Sequence, residues 1–371
     1  MRFKASIHNL IKLTRFVASL SSLGKVAWVR LNDEEVRFTV IPEQGTQVWA
    51  VLSIDSIFET YSIQSASPNN TINLEVPLQP LQKALRSAIS AVSTNIRLTK
   101  KNGIPLLSLT IVTTSYSGNP AGNFNTLPLP TQSQANPTSD AAGNTSAPNV
   151  GGEQDFGLAP GDPYREREIT IMQDVPVRVL SAATVQGLHE PRCREPDVHI
   201  LLPPLLQLKS ISDHFTRLSS ATMKSSVLNG GASTASAMQT SGPGPKLELS
   251  ANMHGCLRLS ISTDALSISS VWRDLANPDL DPSQYEGGEE GLRQHPTARM
   301  RMMGGDSEES WAKVRIDGKD WSRVLSVGRM GGRVIACFCH NHALILYVYL
   351  PNEDDLAEES VLTYYISSYS V

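Results

Sequence analysis

Apolar and polar residues alternate with a period of two from Met1 to Ile7, which predicts a strand, and then recur at helical spacing over Asn9–Ser22. Two strands, Val26–Leu31 and Val36–Ile41, flank the turn-forming run Asn32-Asp33-Glu34, and further strands are expected at Gln47–Ile54 and Thr71–Val76. A second helix over Gln79–Val92 leads into strands Ile96–Thr99 and Leu106–Val112, separated by the strong hairpin signal Asn102-Gly103. The same order then returns. Strand Val198–Leu202 and helix Leu205–Leu218 are followed by strands Lys246–Ala251 and Leu257–Ser262 about His254-Gly255, and by strand Leu266–Trp272. A fourth helix, Lys319–Gly328, precedes strands Val334–Phe338 and Ala343–Leu350, which turn at His340-Asn341-His342.

A plan of strand, helix, hairpin, strands, helix, hairpin that occurs twice predicts an α+β protein of two similar domains, each with two helices packed on antiparallel sheets. Such a duplicated plan resembles the sliding-clamp (DNA clamp) fold. The domains expected are residues 1–180 and 196–371, joined by a connector over 181–195. Three stretches break the pattern. Residues 115–162 are crowded with Pro, Gly, Asn, Ser and Thr, residues 224–245 contain Gly230-Gly231 and Gly242-Pro243-Gly244-Pro245, and residues 279–310 are rich in Gly and Glu with a basic patch. Composition predicts disordered insertions there.

With 371 residues, 40% of them hydrophobic, the chain can fill a core in each of two domains. The net charge of −4 does not by itself point to nucleic acid, so the distribution of charge has to decide. It is uneven. The first helix sets Leu10, Leu13, Val17 and Leu20 against Lys12, Arg15, Ser19 and Ser22, and the second sets Leu81, Leu85, Ala88 and Val92 against Lys83, Arg86 and Ser90. The third opposes Leu208, Ile211, Phe215 and Leu218 to Ser210, Asp213 and Arg217, with Lys209 at its edge. The fourth opposes Trp321, Val324 and Leu325 to Lys319, Arg323 and Ser326. Counting Arg329 at the end of the fourth, the helices carry a balance of +7 and the remaining chain −11. An acidic chain with basic helices suits a ring whose inner wall faces phosphates, and phosphate contacts carry no direct sequence information, so such a ring slides. Lys12, Arg15, Lys83, Arg86, Lys209, Arg217, Lys319 and Arg323 are the expected DNA-facing residues. The plainer reading, that these cations merely solvate exposed helix faces, would serve for one helix.

Several stretches identify a family. Met1-Arg2-Phe3-Lys4-Ala5, Val48-Trp49-Ala50, Glu168-Ile169-Thr170 with Asp174-Val175-Pro176-Val177-Arg178-Val179, and Pro196-Asp197-Val198-His199-Ile200-Leu201-Leu202-Pro203 all resemble the Hus-one family. So do Arg273-Asp274-Leu275-Ala276-Asn277-Pro278 and Thr363-Tyr364-Tyr365-Ile366. The resemblance implies a subunit of the Rad-nine/Rad-one/Hus-one checkpoint clamp, with Rad-nine-like and Rad-one-like partners, a clamp loader, duplex DNA, and checkpoint and repair proteins as its contacts. It implies a nuclear protein with no catalytic residue, no metal and no cofactor. The long insertions depart from the compact family pattern.

Other chemistry is weaker. Cys337-Phe338-Cys339-His340-Asn341-His342 offers zinc ligands, but the cysteines share one strand face while the histidines flank a turn, so small core cysteines are expected instead. Gly287-Gly288-Glu289-Glu290 resembles part of a nucleotide-cyclase signature, with Gly291 where an aromatic residue belongs. The chain contains no P-loop, dinucleotide glycine fingerprint, nucleophile elbow or HExxH helix. Trp28, Trp49, Trp272, Trp311 and Trp321 are expected mainly in the core, and Asp354-Asp355 and Glu358-Glu359 in a solvated loop. Four scattered cysteines, no apolar signal core and no apolar run of membrane length favour a reducing compartment without a membrane. Residues 1–32 hold six Lys or Arg and no acid, as a mitochondrial presequence would, although the strand alternation of Met1–Ile7 speaks against it. The rival functions are a homotrimeric replicative clamp and, more distantly, a metal-dependent enzyme.

Overall fold

A computed structural model describes residues 1–43, 45–116, 166–228, 246–263, 266–284, 288–305, 307–351 and 360–369. Residues 1–112 with 170–371 form one compact unit, and of the second unit, residues 113–169, the described part is 113–116 and 166–169. Most of the first two expected insertions, and both late acid pairs, lie outside the described residues.

The first half runs β1 (Arg2–Ile7), α1 (Leu10–Ser21), β2 (Val26–Leu31), β3 (Glu35–Val40), β4 (Gln47–Ser53), β5 (Phe58–Gln64), β6 (Ile72–Pro77), α2 (Leu78–Ser87), β7 (Ser93–Lys101) and β8 (Ile104–Tyr116). Then come β9 (Glu166–Pro176), β10 (Arg178–Val179), the short α3 (Ala182–Val185), β11 (Val198–Leu201) and α4 (Leu205–Leu228). The rest is β12 (Lys246–Ala251), β13 (Leu257–Thr263), β14 (Leu266–Trp272), α5 (Gly288–Gln294), α6 (Pro296–Met302), β15 (Ala312–Asp317), α7 (Gly318–Leu325), β16 (Arg333–Cys339), β17 (Ala343–Leu350) and β18 (Ser360–Ser367).

Three antiparallel sheets result, ordered β5-β1-β7-β8-β9, β10-β6-β2-β3-β4-β18-β17-β16-β11, and β14-β13-β12-β15. The nine-stranded sheet is made continuous by β18, which pairs with β17 on one side and with β4 on the other, from Val361 opposite Val51 to Tyr365 opposite Gln47. Asn102 (φ 52°) and Gly103 (φ 84°) form the turn between β7 and β8, the backbone that an Asn-Gly pair adopts in a tight hairpin. Between β2 and β3 the Asn32 side chain accepts from the amides of Glu34 (3.0 Å) and Glu35 (2.7 Å), the local bonding that makes Asn a turn residue.

The α1 helix starts at Asn9, whose Oδ1 accepts the Lys12 amide at 2.8 Å, and α7 starts at Asp317, which accepts the amides of Lys319 and Asp320. The α2 helix stops at Ser87, short of the expected Val92, and α4 continues to Leu228, past the expected Leu218. Residues 279–310 are not a simple loop. They contain α5 and α6 and dock through His295, which is 2% exposed, and Thr297, whose hydroxyl donates to the Pro196 carbonyl at 3.0 Å. Composition misjudged this stretch because two buried side chains anchor it and Pro296 stands at the first helical position, where its missing N–H costs nothing.

Candidate nucleic-acid interface

The four basic helices occur as two packed pairs, α1 with α2 and α4 with α7. The α1 helix buries Leu13, Phe16, Val17 and Leu20, with the Phe16 ring edge-on to Phe38 at 4.9 Å. Arg15 and Ser22 are exposed, while Lys12 is half-buried and donates through Nζ to the Pro351 carbonyl at 3.2 Å. Ser19, expected on the outward side, is buried with its Oγ 3.4 Å from the Tyr364 hydroxyl. The α2 helix buries Leu78, Leu81, Ala84 and Leu85 and exposes Lys83 and Arg86. Val92, placed on its apolar face by periodicity, lies beyond the helix and is 69% exposed. Ser21 Oγ donates to Gln82 Oε1 at 3.0 Å and ties α1 to α2.

The α4 helix buries Leu205, Leu208, Ser212, Phe215 and Ser219, leaving Arg217 exposed and Leu218 at the exposed margin. Trp321 of α7 is fully buried and donates from Nε1 to Ser212 Oγ at 3.2 Å. Lys209 is half-buried, pairs with Asp213 at 3.1 Å and donates to the Ser322 carbonyl at 3.0 Å and to its hydroxyl, so it crosslinks α4 to α7. Arg217 Nε donates to the Asp213 carbonyl at 3.3 Å. Arg323 pairs with Asp320 at 3.1 Å, and Lys319 is exposed. Exposed pairs of this kind are worth about 0–1 kcal/mol, so Arg323 remains available to a phosphate. Burial raises the Asp320 carboxyl above its ordinary range, Asp317 adds to this, and Arg323 and Lys246 oppose it. The eight expected residues thus divide. Arg15, Lys83, Arg86, Arg217, Lys319 and Arg323 are exposed, whereas Lys12 and Lys209 are half-buried with partners in the fold.

The cysteine and histidine cluster has a different use. Cys337 and Cys339 are buried against Ile345 with Cys193 beside them, and burial pushes both strand thiols up, Cys339 to about 11. His340 accepts the Lys313 amide through Nδ1 at 3.1 Å. Among the described residues no group of three His, Cys, Asp or Glu is placed to hold a metal, and no helix is long and apolar enough to cross a membrane.

Trp28 and Trp49 are not core residues. In β2 the buried positions are Ala27, Val29 and Leu31, and in β4 they are Val48, Ala50 and Leu52, so both indoles lie on the opposite face of the sheet. There they wall a cavity of about 280 Å³ together with Thr39 and Asn73, roofed by Val185 and Leu188 from the chain that follows β10. The Trp49 Nε1 is buried there without a hydrogen-bond partner. Strand alternation placed Trp28 with Arg30, and that signal could have found the cavity.

The Hus1-like protein family matches residues 1–370. The chain is 36% identical over 370 residues to Checkpoint protein hus1 of Schizosaccharomyces pombe, covering 100% of this chain and 99% of that one. It is 23% identical over 287 residues to Checkpoint protein HUS1 of Homo sapiens, 76% of each chain. Among solved structures it resembles PCNA from Thermococcus kodakaraensis, with a TM-score of 0.56 and 13% identity over 99% of this chain and 100% of that one. It also resembles Proliferating Cellular Nuclear Antigen from Entamoeba histolytica, with a TM-score of 0.51 and 11% identity over 99% of each. Those likenesses show the sliding-clamp fold that the duplicated pattern suggested. With that fold, and with a family match running the length of the sequence, the chain belongs to the Hus1-like protein family.

Proposed function

We propose that this chain is one subunit of a heterotrimeric ring that encircles duplex DNA at damage sites in the nucleus and supports checkpoint signalling and repair. The observation that carries the reading is the full-length family match, to relatives named checkpoint proteins, on a PCNA-like fold. The two clamp domains are residues 1–180 and 196–371 with 181–195 as connector, and the exposed cations of α1, α2, α4 and α7 face phosphates. The chain acts as a scaffold without catalysis.

Two different sheet edges support a ring. The β9 edge exposes Ile171 and Met172, and the β14 edge exposes Val271. Unpaired strand edges invite strand addition, and unlike edges give head-to-tail contacts that close a ring when the rotation permits. Rad-nine-like and Rad-one-like subunits would take these edges, a clamp loader would open the ring, and the tryptophan-walled cavity would receive a side chain of a docked checkpoint or repair protein.

Light scattering tests the assembly. Co-expressed with Rad-nine-like and Rad-one-like chains and purified through a tag on this chain, the particle is expected to have the mass of a one-to-one-to-one trimer. A self-trimer would favour the replicative clamp, and a lone monomer beside folded partners would overturn the ring.

A further inference from the structure

The outward face of the five-stranded sheet carries cations that the helices do not explain. In β1 the buried residues are Phe3, Ala5 and Ile7, so Arg2 and Lys4 point the other way. The register puts Lys4 directly opposite Arg97 of β7 on one side and Ser62 of β5 on the other, with Arg2 opposite Gln64. Like charges directly opposite one another across antiparallel strands are destabilising. Among the described residues no carboxylate is paired with either Lys4 or Arg97. Apart from Lys101, and from Glu59 left exposed at the bulge opposite Ser6 and Ile7, the residues on this face of β5, β1 and β7 are Ser, Thr, Asn or Gln, and among the described residues Arg2, Lys4 and Arg97 make no ion pair. Lys101, at the end of the face, is taken up by Asp174 at 3.9 Å.

We propose that Arg2, Lys4 and Arg97 form an anion-docking face that takes a phosphate-bearing acidic segment of a partner protein. Successive same-face residues on a strand are about 7 Å apart and opposed side chains about 5 Å apart, so the three long side chains are within reach of a single phosphoryl group. Arginine offers that group two parallel N–H donors, and lysine adds a point charge. Around the spot Ser62, Gln64 and Asn95 supply neutral donors for a peptide backbone. Duplex DNA would call for cations spread along successive phosphates, as the helices provide them. A bound phosphate also removes the repulsion between Lys4 and Arg97, which the unliganded fold carries uncompensated.

The test uses the full-length chain and fluorescence anisotropy with a ten-residue Asp- and Glu-rich peptide containing one phosphoserine, its unphosphorylated twin, and inorganic phosphate and a short duplex as competitors. The phosphopeptide is expected to bind about tenfold more tightly than its twin and to weaken with salt. Lys4→Glu should abolish that preference while raising the thermal midpoint, because it converts a like-charge pair into an opposite one. The double variant Lys4→Gln/Arg97→Gln should lose binding with the fold intact, whereas Lys83→Glu/Arg86→Glu should not affect it. Equal binding of the two peptides, or an unchanged Lys4→Gln/Arg97→Gln variant, would overturn the proposal. Competition by inorganic phosphate as effective as by the unlabelled phosphopeptide would reduce the face to a free-phosphate site, and duplex binding lost with the double variant would assign it to DNA; either result also overturns it.

Discussion

Gly103 and Gly332 share a backbone region and differ in what surrounds them. Both have positive φ, 84° and 95°. A Cβ on Gly103 would meet nothing within 4 Å, whereas one on Gly332 would lie 2.1 Å from the Tyr349 carbonyl oxygen. Gly103→Ala is therefore expected to cost only the left-handed conformational term, about 1–2 kcal/mol. Gly332→Ala must also push β17 away from β16 and should cost clearly more. Denaturant midpoints of the two variants measure the difference, and equal losses would mean that the strand gives way without penalty. Trp321 also shows context acting on one residue: its apolar face was readable from helical spacing, but the Ser212 hydroxyl that receives its N–H comes from another helix.

The least expected element is the α5–α6 segment, held by two imidazoles facing each other at 6.1 Å. Thr297 joins them, taking its amide to His295 Nδ1 at 3.2 Å, with its hydroxyl 3.3 Å from His199 Nδ1. Burial, then the neighbouring His295, lowers His199 from 6.5 to about 4. Burial also lowers His295, against the opposing charges of Glu195 and Asp197. A histidine whose folded pKa is depressed stabilises the fold fully above its unfolded value of 6.5, and the contribution is lost as pH falls from there through about 4. Amide hydrogen exchange should accordingly show α6 losing protection first on acidification from about pH 7 to about pH 4.5, with His199→Gln flattening the dependence. Uniform loss across all strands would argue against a local hold. The β5 and β15 strands were also absent from the sequence reading. The first has only Phe58 and Ile63 buried, whereas the second alternates cleanly as Ala312, Val314 and Ile316 but follows directly on a stretch whose composition predicts disorder.

At the scale of the molecule, charge is segregated: an acidic chain carries exposed Arg15, Lys83, Arg86, Arg217, Lys319 and Arg323 on helices that bury their other sides in a common core. Reversing Lys12, Arg15, Lys83 and Arg86 to Glu is expected to reduce retention of the assembled ring on closed circular DNA by about tenfold or more at moderate salt. Arg15, Lys83 and Arg86 should carry the effect with little change in stability, and Lys12, tied to Pro351, should add least. Cutting the circle should release the wild-type ring, because phosphate contacts hold without fixing position. Unchanged retention of the reversed ring would remove the helices from the DNA-facing role.

The sequence by itself determined the four basic helices, most of the strands around them, the apolar side of those helices and the Asn102-Gly103 turn, because all of these follow from periods of 2 and 3.6 residues and from backbone preferences acting within a few residues. It also carried the family, through short motifs spread over both halves. Tertiary structure decided what depends on partners distant in the chain. It set β18 between β4 and β17, turned Trp28 and Trp49 away from the core, enclosed Ser19 against Tyr364, and drew Lys209 and Lys12 into internal contacts. Periodicity reports which side of an element is apolar. Which neighbour covers the other side is settled only when sheets and helices from separate parts of the chain pack together.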